Sequence, residues 1–95
     1  MKQYEAMIIL KPELQSDALK IAYKEAADII RKHQGNVEEA NELGKRPLAY
    51  SIGKKKEGFF YLLKFKVNPE TIKEVNRDFS LNENILRAMI TVKGG

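Results

Sequence analysis

Phe59-Phe60-Tyr61-Leu62-Leu63-Lys64-Phe65-Lys66-Val67 is the stretch on which the fold turns. In an extended chain Tyr61, Leu63, Phe65 and Val67 share one side, and Phe60, Leu62, Lys64 and Lys66 share the other. The first side is apolar throughout. The second begins apolar and turns basic. Such a pattern predicts a strand that packs one face on a core and leaves the other face for something else.

On the N-terminal side, Gly53 to Glu57 is a polar connection, and Val37 to Ile52 reads as a long extended segment. Gly44 and Pro47 interrupt it, so it belongs at a sheet edge or carries a bulge, because proline has no N–H for a ladder. On the C-terminal side, Asn68-Pro69-Glu70 has the form of an N-cap, an N1 proline and an acidic first turn. A helix with Ile72, Val75 and Phe79 on one face follows it. After Asn82-Glu83-Asn84, Ile85 to Lys93 forms a last strand.

Further out, Tyr4 to Leu10 alternates as a strand, with Tyr4, Ala6, Ile8 and Leu10 on one side and Met7 and Ile9 on the other. From Ser16 to Gln34, the residues Leu19, Ala22, Tyr23, Ala26, Ile29, Ile30 and His33 recur at helical spacing. Ser16 suits the N-cap and Gly35 the left-handed position past the C-terminus. Ile21 falls off the stripe.

The order is β-α-β-β-α-β, two βαβ halves joined by a hairpin. Right-handed crossovers place both helices on one face of a four-stranded antiparallel sheet. This α+β arrangement is ferredoxin-like, with strand order 4-1-3-2. Ninety-five residues suit one domain spanning residues 1–95. With the helices on one face, the other face is open, and it is too apolar to be merely solvated. Met7, Ile9, Phe60, Leu62 and Met89 all point to it, framed by Arg87, Lys64 and Lys66. An exposed apolar cluster with basic residues around it marks a binding surface for a partner.

Composition narrows the chemistry. No cysteine is present, which excludes disulfides, thiolate catalysis and cysteine zinc sites. The longest uninterrupted apolar run, Ala6 to Leu10, is far below the ~20 residues of a membrane helix. The N-terminus has no leader-like pattern, so a cytoplasmic location without membrane contact is expected. His33 is the only histidine and lies on the helix stripe, which suits packing or a helix-terminal charge better than catalysis. Glu38, Glu39 and Glu42 alternate across a strand, so they do not converge on a metal. No glycine-rich phosphate loop occurs. The expectation is a non-enzyme with no cofactor, no metal and no small-molecule substrate.

The net charge of +4 is unevenly spread. Acidic Val37–Leu43 gives way to basic Gly44–Gly58, which holds Lys45, Arg46, Lys54, Lys55 and Lys56. These, with Arg87 and Lys93, can neutralise phosphates, and Tyr4, Tyr50 and Phe60 lie nearby for stacking on unpaired bases. Tyr61 reads as core. The Gly58–Phe65 strand fails as an RNA-recognition RNP motif, since Phe60 stands where a small residue is needed and Lys64 where an aromatic is. A sheet face used for protein and a rim used for RNA fits better.

Tyr4-Glu5, Ile8-x-Leu10-x-Pro12, Gly44-Lys45-Arg46-Pro47-Leu48-Ala49-Tyr50-Ser51-Ile52, and Asn82 to Met89 with Arg87 among them resemble ribosomal protein six of the bacterial small subunit. The likeness runs from Lys2 to Lys93, and Gly-Lys-Arg-x-Leu-Ala-Tyr is its most specific part. The resemblance implies a place in the central domain, or platform, of the small subunit. There the family binds ribosomal RNA together with ribosomal protein eighteen, which would cover the open face. Carried over by position, Lys2, Tyr4, Arg46 and Arg87 are the RNA-side residues. Pro47 stands where relatives often carry a basic or polar residue, and the chain stops at Gly94-Gly95 where some carry a long charged tail. A different reading of the same fold is a regulatory or ligand-binding module that pairs through its open sheet.

Overall fold

The computed structural model describes residues 1–93; the Gly94-Gly95 end, where the sequence reading expects no tail, lies outside the described residues. The elements are β1 (Lys2–Leu10), α1 (Ser16–Lys32), β2 (Asn36–Ile52), β3 (Lys55–Val67), a 3-10 turn (Pro69–Thr71), α2 (Ile72–Leu81) and β4 (Ile85–Val92). The sheet order is β2-β3-β1-β4, the expected 4-1-3-2 counted from the other edge. Every neighbouring pair is antiparallel.

The alternation in β3 explains the packing. Tyr61, Leu63, Phe65 and Val67 are buried, as are Tyr4, Ala6, Ile8 and Leu10 of β1. They meet Ala22, Ala26 and Ile30 of α1 and Val75 and Phe79 of α2 in one core cluster. The two helices therefore cover one face. Each of the largest fully buried side chains, Phe65, Phe79, Ile8, Leu10, Ile30 and Leu63 among them, contributes ~1.5–3 kcal/mol by leaving water.

The α1 stripe forms as its spacing requires, with Asp17 in the first turn and Arg31 and Lys32 in the last, the charges that suit the helix dipole. Its ends differ from expectation. Gln15, not Ser16, occupies the N-cap position, with no side-chain cap. The left-handed residue is Gln34 at φ 58, not Gly35. Gly35 serves close approach instead: a Cβ there would lie 2.6 Å from Ile30 Cγ2 and 2.8 Å from the Ile30 carbonyl oxygen. At α2 the expected cap forms, as the Glu70 N–H donates to Asn68 Oδ1 at 3.0 Å. The first turn there is 3-10, and α2 proper begins at Ile72. Ile21 stays out of the core at 58% exposure, and nothing in the structure explains its apolar side chain.

His33 acquires a partner that sequence spacing could not reveal. It is half-buried just past α1, with Nε2 2.8 Å from Asp78 Oδ2 and Nδ1 3.7 Å from Glu74 Oε2, both on α2. The hydrogen bond to His33, with help from Lys32, holds the Asp78 carboxyl below its ordinary range. His33 is a helix-to-helix staple.

Candidate functional site

The open face divides into two halves along the strands. Toward the Lys2 end it is charged. Lys93 Nζ lies 3.2 Å from Glu5 Oε1, Lys64 Nζ lies 3.8 Å from Glu5 and 3.5 Å from Glu39, and Lys66 Nζ lies 3.6 Å from Glu38. Gln3 Nε2 donates to Glu38 Oε1 at 2.9 Å. Glu38 and Glu39 of β2 are thus answered by lysines of β3, while Glu42 lies opposite Tyr61. Glu39 is held below the usual carboxylate range, first by the Asn41 side-chain amide and then by Lys64.

Toward the other end the face is apolar. Met7 sits opposite Leu62 on β3 and Met89 on β4, and Ile9 sits opposite Phe60 and Arg87. The five residues expected on this face share it, and Arg87 joins them. Their exposure differs from expectation: Ile9 is only 4% exposed, Met7, Phe60 and Leu62 are half-buried, and Met89 is exposed. Ile9 is therefore not an open contact residue in this conformation.

The cause is an irregularity in β2. Pro47 faces Glu57 and Ile52 faces Lys55, so five steps along β2 run beside two along β3. Three surplus residues must leave the ladder, and the resulting bulge arches over the sheet. Tyr50, starting from the edge strand β2, accepts a hydrogen bond from Arg87 Nη1 at 2.9 Å on the opposite edge strand β4. Ile9, Leu48, Tyr50, Ile52, Phe60 and Met89 surround a small cavity of about 170 Å³ beneath this strap. Sequence reasoning missed Leu48 and Ile52 as parts of this surface. Proline and glycine signalled an irregular strand there, but not the direction of its bulge.

The remaining candidates fall into two groups at opposite ends of the sheet. Arg46, Lys54, Lys55 and Lys56 lie on the β2–β3 hairpin. Gly44 at φ 85 takes up an earlier register shift, and Gly53 at φ 60 opens the two-residue turn at the tip. Lys45 lies over the Phe59 ring, 5.1 Å from its centre. Arg46 Nε donates to the Leu43 carbonyl at 3.2 Å while its residue stays exposed. Lys55 pairs with Glu13. Lys54 and Lys56 are exposed and make no ion pair among the described residues. Lys2 and Lys93 lie at the far end, eight β1 residues away, or roughly 26 Å at strand rise. Lys2 is exposed, and Lys93 is engaged with Glu5.

Tyr4 corrects the sequence expectation. It is 4% exposed, with its ring stacked on Phe65 at 5.8 Å. Its side chain belongs to the core because it shares the inward parity of Ala6 and Ile8, so its ring has no free face for a base.

A family model described as ribosomal protein S6 matches residues 3–92. The small ribosomal subunit protein bS6 of Clostridium novyi is 40% identical over 90 residues, which span 95% of each chain. Its counterpart in Pseudarthrobacter chlorophenolicus is 38% identical over 91 residues, covering 96% of this chain and 90% of its own. The bS6 of Helicobacter pylori is 40% identical over 90 residues, 95% of this chain but 63% of its own longer one. In three dimensions the crystal structure of 30S ribosomal protein S6 from Thermotoga maritima is similar at a TM-score of 0.89. It covers 97% of this chain and 87% of its own at 22% identity, a likeness of fold.

Proposed function

Since the chain belongs to the ribosomal protein S6 family, and is thus a structural constituent of the small ribosomal subunit and not an enzyme, we propose that it binds small-subunit ribosomal RNA. We place that RNA in the central domain and the apolar half of the open face against ribosomal protein eighteen. The observation that carries this reading is the juxtaposition on one end of the molecule. A surface of Met7, Phe60, Leu62 and Met89 adjoins a hairpin bearing exposed Arg46, Lys54 and Lys56. An apolar centre with a basic rim suits a protein partner held beside an RNA backbone.

Arg87 stands between the two surfaces. Its guanidinium is exposed and shares one N–H with Tyr50, which leaves further donors of its fork for a phosphate. Lys2 and Lys93 are proposed as a second, separate phosphate contact at the other end of the sheet. Lys93 would exchange its Glu5 pairing for the RNA.

The test is a titration of the protein with a central-domain RNA fragment, with and without ribosomal protein eighteen, across a series of salt concentrations. Cooperative binding with a steep salt dependence is expected. Equal affinity with and without the partner protein would remove the pairing from the reading.

A further inference from the structure

The outer edge of β4, which borders a groove on the helix side of the sheet and carries Arg87 on the open side, is built to take another strand. Among the described residues β4 pairs only with β1. The Lys93 N–H donates to the Gln3 carbonyl at 2.9 Å, so Lys93 turns its backbone groups inward to β1. Successive residues of an antiparallel strand turn theirs to opposite edges. Val92, Ile90 and Ala88, which face Tyr4, Ala6 and Ile8 without a register shift, therefore present N–H and C=O groups to the free edge.

The same three residues put their side chains on the helix side. With Ile72, Lys73 and Asn76 of α2 they line a groove of about 430 Å³ beside the edge, floored by Tyr4. A second depression of about 280 Å³ continues it past Asn76 and Ala88 toward Ser80 and Arg87. A row of free backbone groups beside a groove for alternate side chains is the arrangement that binds an extended peptide as an added strand.

Charge selects among occupants. Positive charge flanks the edge on both faces: Lys73 lines the groove on the helix side, and Arg87, with Nη1 on Tyr50, stands on the open face, to which an added strand turns the side chains that do not enter the groove. Neither makes an ion pair among the described residues. The nearby acids Glu74 and Asp78 are turned toward His33. A second copy is disfavoured, because two β4 strands paired antiparallel about Ile90 would set Arg87 opposite Lys93, and like charges directly opposite repel. A nucleic-acid strand has no alternating N–H and C=O groups with which to pair. We propose that the β4 edge and its groove dock an extended segment of another protein in which apolar residues alternate with acidic ones.

The probe is a capped ten-residue peptide of alternating glutamate and valine, titrated into the whole chain and followed through the backbone amides by NMR. Amide hydrogen exchange at Ala88, Ile90 and Val92 should slow by about tenfold at saturation, as for amides newly paired in a ladder. A peptide N-methylated on the residues facing β4 should not bind, which tests the backbone pairing without altering the protein. The alternating lysine–valine peptide should bind more weakly, and Arg87→Glu should weaken the glutamate–valine peptide by about threefold, the scale of one exposed charge pair. The proposal is overturned if both peptides bind equally. It also fails if the affected amides lie only around Lys54–Lys56, or if sedimentation shows the chain dimerising through this edge instead.

Discussion

Leu62 and Leu63 are adjacent in β3 and point to opposite faces, so aspartate at each position separates folding from assembly. Leu63 is fully buried in the cluster with Phe65 and Ile8. Truncating a leucine in such a site costs ~2–5 kcal/mol, and a carboxylate there adds a desolvation cost of several more. A chain of 95 residues has a total stability of roughly 5–14 kcal/mol. Leu63→Asp therefore consumes most or all of the margin. Leu62 is half-buried on the open face, between Met7 and Asn41, and Lys64 lies two residues along the same face. Leu62→Asp should cost about 1 kcal/mol, within the ordinary range for single substitutions. In the complex the same aspartate becomes a charge in the desolvated centre and should cost ~2–5 kcal/mol of binding. Urea denaturation of both variants, beside titration with ribosomal protein eighteen and its RNA, measures the two quantities. The reasoning is refuted if Leu62→Asp binds like the parent, or if it unfolds the chain while Leu63→Asp does not.

Replacing Lys54 and Lys56 by alanine should lower the slope of log affinity for RNA against log salt by roughly one unit per lost phosphate contact; an unchanged slope would make the hairpin tip a mere solvated turn. Gly44→Ala should destabilise the fold by about 1 kcal/mol in chemical denaturation, through the left-handed backbone alone, since no atom lies near the added methyl. Asp78 has its folded pKa lowered by His33 and Lys32, so its contribution is present above the unfolded carboxylate pKa and is lost as pH falls through the folded one. Asp78→Asn should accordingly lower stability at neutral and alkaline pH, with the loss fading as pH falls below about 4; a parallel loss at every pH, acid included, would point to packing instead.

Much of this molecule is legible in its strands. The period-two pattern of Tyr61, Leu63, Phe65 and Val67 is enough to orient β3, and the same parity orients β1 and β4, because burial on one face forbids a one-residue slip. The shared face of Met7, Ile9, Phe60, Leu62 and Met89 follows from it. Exposure does not follow, because the cover over Ile9 comes from a bulge whose surplus residues carry no pattern of their own. Tyr4 shows how two rules can conflict: its parity assigns it to the core, while its likeness to relatives suggests an RNA role, and packing against Phe65 decides for the core. At the end of α1, glycine looks like the helix stop, yet the need for close approach to Ile30 claims Gly35 and passes the left-handed turn to Gln34. The His33–Asp78 contact bridges 45 positions, a separation at which local spacing carries no information.

The strand order has a consequence in time as well as in space. β1 is made first on the ribosome, yet its two neighbours in the sheet are β3 and β4, with Lys2 opposite Val67 and Tyr4 opposite Val92. The β2–β3 hairpin can close locally as soon as it emerges, at small loop-entropy cost, whereas β1 must wait for partners some 49 to 88 positions away. Until Ile85, Ala88 and Ile90 arrive, one edge of β1 is bare and the core lacks a wall. A nascent chain therefore passes through an interval in which Ile8, Ile9 and Leu10 are presented on an unpaired strand, the state most prone to pair with a neighbour's. Folding is completed by the last strand to leave the exit tunnel, not by the first.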